Sequence, residues 1–277
     1  MCVINWRLVR FRSRHEPAHR RAVLVKIVRT RSQSDDISYG GVEPEGIRLY
    51  RGSPFVAWEP TEAVIPFDEA RLLSPTIPTK VVAIGRNYAA HAAEHEVEVP
   101  DEPIMFIKPS TSVIGPAAAI RIPPHSQRVE HEAELAIVIG RVARNVAVEE
   151  AGSYVLGYTV GQDVTARDLQ RRDGQWTRGK GFDTFCPLGP AIETEFDPKE
   201  GQRITCRVND EVRQEGVLTD MVFGPAELIA FISGVMTLLP GDVILTGTPE
   251  GVGPLNDGDL LETEIEGLGL LRNPVST

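Results

Sequence analysis

The sequence predicts a β-rich α+β fold with a small N-terminal β domain, and three observations predict it. Short apolar runs of strand length recur along most of the chain, bounded by Gly, Pro and polar turns. Helical periodicity is confined to three stretches. A connection punctuated by Pro54, Pro60, Pro66, Pro75 and Pro78 separates an early meander from the rest. The 277 residues, 42% hydrophobic and 25% charged, suffice for one large domain with a small appendage.

Residues 1–24 carry six arginines (Arg7, Arg10, Arg12, Arg14, Arg20 and Arg21) against the single acid Glu16. Lacking an apolar stripe, they are expected to form a disordered basic extension, an organelle presequence being the other reading. Strands at 23–28, 37–42 and 46–50 make the small N-terminal domain, assigned to residues 25–74. The larger domain, residues 75–277, has strands expected at 80–84, 104–107, 132–139, 154–162, 203–208, 211–215, 242–246 and 259–265. Its helices are expected at 88–96, 166–172 and 225–239, the last with Pro225 at its start and Leu228, Ile229, Ile232, Val235, Met236 and Leu239 at helical spacing.

Charge narrows the partners. Lys plus Arg number 29 and Asp plus Glu 39, a net of −10 that argues against nucleic acid or an anionic membrane and for a small-molecule substrate. No apolar run approaches the ~20 residues of a membrane helix. Cys2, Cys186 and Cys206 are too few and scattered for a disulfide framework, which fits a reducing compartment and a cytoplasmic protein.

The run from His131 to Gly140 opens with Glu132 and Glu134, two residues apart at the start of a β-branched strand. In a strand these share one face about 6.6 Å apart. Two buried carboxylates there need a cation between them, and all-oxygen ligation favours Mg²⁺, Mn²⁺ or Ca²⁺ over zinc. A solvated strand start with two surface acids is the competing reading. Asp163 ends the next strand, where a ligand or a helix N-cap belongs equally well. Arg167 and Gln170 follow on one helical face, a pair suited to an anionic, carbonyl-bearing ligand.

Three further features are less specific alone. His91 and Glu94 stand one helical turn apart, so the carboxylate can hold the imidazole in one tautomer; many such pairs merely decorate a helix surface. The run Leu245-Thr246-Gly247-Thr248-Pro249-Glu250-Gly251-Val252-Gly253 is a strand opening into a Gly-rich loop, without the Gly-Lys-Ser/Thr ending of a phosphate loop. Lys180 lies between Gly179 and Gly181, which allow close approach to a ligand and equally suit a surface lysine.

Taken in order, Gly85-Arg86-Asn87-Tyr88 with His91 and Glu94, then Glu132-Ala133-Glu134-Leu135, Gln162-Asp163 through Arg167 and Gln170, Lys180 and the Leu245–Gly253 loop resemble the fumarylacetoacetate hydrolase family over residues 79–271. The resemblance implies a mixed β-sandwich or roll around one Mg²⁺ or Mn²⁺, in a homodimer. It assigns the metal ligands to Glu132, Glu134 and Asp163, the catalytic groups to His91, Glu94 and Lys180, and substrate contacts to Arg167, Gln170 and Thr248. The chain is similar to the shorter acylpyruvase and 2-hydroxyhepta-2,4-diene-1,7-dioate isomerase-like members. The animal hydrolase has an acid seven residues before its catalytic His, where this chain has Ile84.

The activity this implies is metal-dependent hydrolysis of a C–C bond in 2,4-dioxo acids (acylpyruvates) through a metal-bound enolate. The alternatives are decarboxylation of oxaloacetate-like 2-oxo acids and isomerisation of 2-hydroxyhepta-2,4-diene-1,7-dioate, which share that intermediate. A silent binding protein has no need of a base such as His91. The substrate's distal group follows no readable code, although residues 97–103 look like a lid over it.

Overall fold

The computed structural model of the protein describes residues 26–94 and 98–277. The basic extension expected over 1–24 lies outside the described residues, as does the first part of the proposed 97–103 lid. A long mixed sheet forms the frame. Its central strands run Lys26–Arg31, Cys186–Glu193, Val155–Gln162, Ala133–Ile139, Val243–Leu245, Val81–Gly85 and Ile104–Lys108, in that order. A five-stranded sheet, from Glu211–Val217 to Ile120–Arg121, and a three-stranded sheet of Thr165–Ala166, Val129–His131 and Gly253–Pro254 complete the strands.

Strand alternation explains the layers. Ala133 and Leu135 project into a core shared with Ile204, Cys206, Leu261 and Ile265 of the five-stranded sheet. Farther along, Ile137 and Ile139 meet Leu228, Ile229 and Ile232 of the helix Pro225–Val235. Ala136 and Val138, on the opposite face, lie in a core built from the same long sheet and backed by Tyr39, Phe55 and Trp58. The sheet thus rolls over its own N-terminal strands. With both faces covered, Ala133–Ile139 is buried at every position.

The N-terminal strands are a meander of Lys26–Arg31, Ile37–Glu43, Gly46–Ser53 and Ala57–Ile65, and Lys26 and Ile27 pair with Glu193 and Ile192 of the main sheet. Ala57–Ile65, expected as Pro-punctuated connection, is the outermost strand of the sheet. Pro60 is tolerated there because an edge strand need not donate from every N–H. Cys186–Glu193, which contains Pro187 and Pro190 and was not expected as a strand, is central and wholly buried. The long helix stops at Val235, short of the expected 239, because Leu238 turns back to exchange backbone hydrogen bonds with Ala143.

The remaining α-helices among the described residues are short, α1 (Ala89–Glu94), α2 (Arg167–Asp173) and α3 (Thr177–Lys180), and each lends side chains to one cavity. Among the described residues, no helix is long and apolar enough to cross a membrane.

Candidate active site

Glu132 occupies the break between strands Val129–His131 and Ala133–Ile139. Its N–H is held by Gln162 Oε1 at 2.9 Å, and its carbonyl accepts from Asp163 N at 2.9 Å. Antiparallel pairing of Ala133 with Gln162 therefore sets Glu132 and Asp163 side by side, with Glu134 one pleat farther along. One carboxylate oxygen from each of the three lies within 4.8 Å of the others, and all three residues are buried. The expected alternation and the clustering of the acids are both present. Asp163 is not a helix cap, since α2 begins at Arg167 with Ala166 as its N-cap and no side-chain cap.

Protein cations meet two of the three acids. Lys180 Nζ, at the end of α3, is 2.7 Å from Glu132 Oε2 and 2.6 Å from Asp163 Oδ2, and stands 5.1 Å from the Phe106 ring centroid. Lys108 Nζ is 2.5 Å from Asp163 Oδ1, and Arg167 bonds Glu132 Oε1. Burial alone would raise the Glu132 pKa, yet Lys180 and Arg167 outweigh it and hold the carboxyl well below the usual range. Burial likewise opposes charge on Lys180, and Asp163 and Glu132 overcome it, so its pKa is raised.

Glu134 differs. Its only hydrogen bond among the described residues comes from Gly247 N at 2.6 Å. Burial, then the charges of Asp163 and Glu132, push its pKa well up. Gly247 reaches it because its backbone sits at φ +98°, and a Cβ there would lie 2.7 Å from Asn87 Cβ. A buried carboxylate facing two others without a cation of its own is a place for one more positive charge. An all-oxygen set of three carboxylates fits Mg²⁺ or Mn²⁺.

The cluster forms the floor of a cavity of about 440 Å³ whose lining includes Ile84, His91, Gln170, Trp176, Lys180 and Thr248. His91 Nδ1 is 3.2 Å from Glu94 Oε2, and Glu94 also accepts from Gly251 N at 3.2 and 3.3 Å, which ties α1 to the Gly-rich loop. Asn87 anchors the turn before α1 through the carbonyls of Thr246 and Phe223. All nine residues singled out in the sequence thus lie in or against one site. Arg167 is more committed than a substrate contact needs to be: Nε donates to Glu130 Oε2 at 2.6 Å and Nη1 to Gln170 Oε1 at 2.7 Å.

Sequence reasoning missed Lys108, Glu130 and Gln214 and gave Gln162 no role of its own; all four are buried. A lysine closing the apolar strand Ile104–Lys108 was the one available signal, because a fully buried lysine requires a carboxylate. Lys108→Met is expected to destabilise the fold by about 3–5 kcal/mol by leaving Asp163 underpaired. Urea unfolding of the metal-free protein checks this.

Comparison with known proteins agrees with this architecture. The profile described as "Fumarylacetoacetate (FAA) hydrolase C-terminal" matches residues 80–276, and "Rv2993c-like, N-terminal" matches 25–75. Protein Rv2993c of Mycobacterium tuberculosis is 50% identical over 213 residues, covering 76% of this chain and 80% of that protein. The mitochondrial oxaloacetate tautomerase FAHD2A of Homo sapiens is 48% identical over 225 residues, covering 76% and 71%. The crystal structure of 2-hydroxyhepta-2,4-diene-1,7-dioate isomerase from Mycobacterium marinum superposes with a TM-score of 0.84 at 42% identity, covering 91% and 98%. With a family profile spanning most of its length and relatives near half identity, the chain belongs to the fumarylacetoacetate hydrolase family.

Proposed function

We propose that the protein catalyses proton transfer at C3 of a small dicarboxylic 2-oxo acid, as a tautomerase or isomerase. The observation that carries this reading is at the cavity wall. Arg86 and Arg171 line it, and neither has an ion-pair partner among the described residues. The carboxylate floor and its lysines suit the 2-oxo acid end, so two uncommitted guanidiniums remain for a second carboxylate. Two of the similar proteins carry names that denote dicarboxylates, an oxaloacetate tautomerase and a dienedioate isomerase.

A divalent ion held by Glu132, Glu134 and Asp163 would supply positive charge where the substrate's carboxylate and keto oxygens develop negative charge. The chain's own groups do the rest. Glu94 engages His91 Nδ1 and holds the ring at the cavity wall, where the imidazole takes a proton from C3 and returns it. Lys180 places a second positive charge beside the C2 oxygen, and Gln170, whose carbonyl accepts from Arg167, presents its amide N–H groups. In tautomerisation the proton leaving C3 is balanced by one arriving on the C2 oxygen.

A second reading is hydrolysis of 2,4-dioxo acids, favoured by the dyad itself: an imidazole backed by a carboxylate also suits deprotonation of water. Enol-to-keto conversion of oxaloacetate, followed by ultraviolet absorbance with Mg²⁺ or Mn²⁺ added, tests the first reading beside acylpyruvate cleavage. Faster turnover of an acylpyruvate than of oxaloacetate would overturn it. Replacing Arg86 and Arg171 together by Met should raise KM about tenfold for oxaloacetate and leave a monocarboxylic 2-oxo acid nearly unaffected.

A further inference from the structure

Gln214, on strand Glu211–Val217, is 1% exposed and engages all four hydrogen-bond positions of its amide. Its Oε1 accepts from Ala133 N at 3.0 Å and lies 2.9 Å from His131 Nδ1. Its Nε2 donates to the Pro249 carbonyl at 2.8 Å and to Thr248 Oγ1 at 2.7 Å. Two of these partners admit one sense only, because a backbone N–H must donate and a carbonyl must accept. The amide therefore cannot be turned over, and the other two contacts follow. His131 Nδ1 carries a proton, and Thr248 Oγ1 is an acceptor toward Gln214. His131 Nε2 is buried without a hydrogen-bond partner among the described residues, so nothing there draws the proton away from Nδ1.

A hydroxyl that accepts from the protein still has its own hydrogen to give. Thr248 is 3% exposed, lines the active-site cavity, and has no protein acceptor for that hydrogen among the described residues. We infer that Gln214, backed by His131, is a positioning residue that commits the Thr248 hydroxyl to donate into the cavity, toward a carboxylate of the bound substrate. A hydroxyl left to rotate would present its lone pairs part of the time, and lone pairs repel a carboxylate. The inference rests on the 2-oxo acid reading above.

Oxalate, which carries the same pair of adjacent oxygens as a 2-oxo carboxylate, is the probe. Its binding with Mg²⁺ present is measured by calorimetry for the wild type, Q214E, T248V, T248S and the Q214E/T248V double variant. In Q214E the carboxylate accepts the Thr248 proton, so affinity should fall about tenfold. T248V should fall equally, T248S should retain affinity, and the double variant should bind no more weakly than T248V. With oxaloacetate, Q214E should raise KM while kcat stays within about twofold. Undiminished binding by Q214E, or a further loss when it is added to T248V, overturns the inference. A wild type that binds no oxalate overturns the 2-oxo acid reading and the inference with it. Should Q214E fail to fold, Q214M carries the same comparison, with a loss expected in the wild-type background and none on T248V.

Discussion

Removing one carboxylate at a time from Glu132, Glu134 and Asp163 is expected to abolish most divalent-metal affinity in all three variants, yet to split them by stability. Each of Glu132→Gln, Glu134→Gln and Asp163→Asn should weaken Mn²⁺ binding by on the order of 100-fold, because a site of three charges loses one. Without metal, Glu132→Gln and Asp163→Asn leave Lys180 short of a partner in a buried site. A loss of about 3–5 kcal/mol is expected. Glu134→Gln removes the one acid of the three that no protein cation bonds, so the metal-free fold should gain stability where the other two variants lose it. The sign of the pH effect agrees. A carboxyl raised by folding contributes stability that is complete below the ordinary carboxylate range and is lost as pH rises through its raised value. Metal-free wild type should lose stability over that interval, and Glu134→Gln should lose less. Urea titrations at several pH values, beside elemental analysis, measure both quantities. Stoichiometric metal in any of the three variants, or a destabilised Glu134→Gln, would contradict the site.

His91→Ala should reduce turnover of oxaloacetate enol by roughly 10²–10⁴ while leaving metal content unchanged, since general-base assistance is worth that range. Glu94→Gln should follow more mildly, because Glu94 orients the imidazole and is itself held by Gly251 N. The two reactions that need a proton taken by His91, tautomerisation at C3 and hydrolysis by water, should fall together. Decarboxylation of oxaloacetate requires neither, so any such activity should survive. Parallel assays of the three reactions on both variants decide this. Equal loss in all three would mean that His91 closes or shapes the cavity and is not the base.

Much of the site was legible because its acids and bases sit in segments whose local geometry is simple. Glu132 and Glu134 share a face because strands alternate, and His91 meets Glu94 because helices repeat every three to four residues. The outer edge of the sheet was harder. Pro60 reads as a breaker and lies in an edge strand, while Pro187 and Pro190 lie in a central one. Propensity argues against both strands, but each is set by its neighbours: Cys186–Glu193 lies between Lys26–Arg31 and Val155–Gln162, and Pro187 pairs with Ile114.

What the sequence by itself determined was the chemistry available: three acids, a His–Glu pair, a glycine-flanked lysine and an Arg–Gln face, in strands and helices that local periodicity specifies. Which charges meet was decided only by the tertiary structure. Lys108 lies 55 residues from Asp163, and Gln214 lies 34 residues from Thr248. No local period relates such positions. They meet because burial leaves an ammonium or an amide no water to bond, and the packed strands bring carboxylates, a hydroxyl and backbone groups within reach instead.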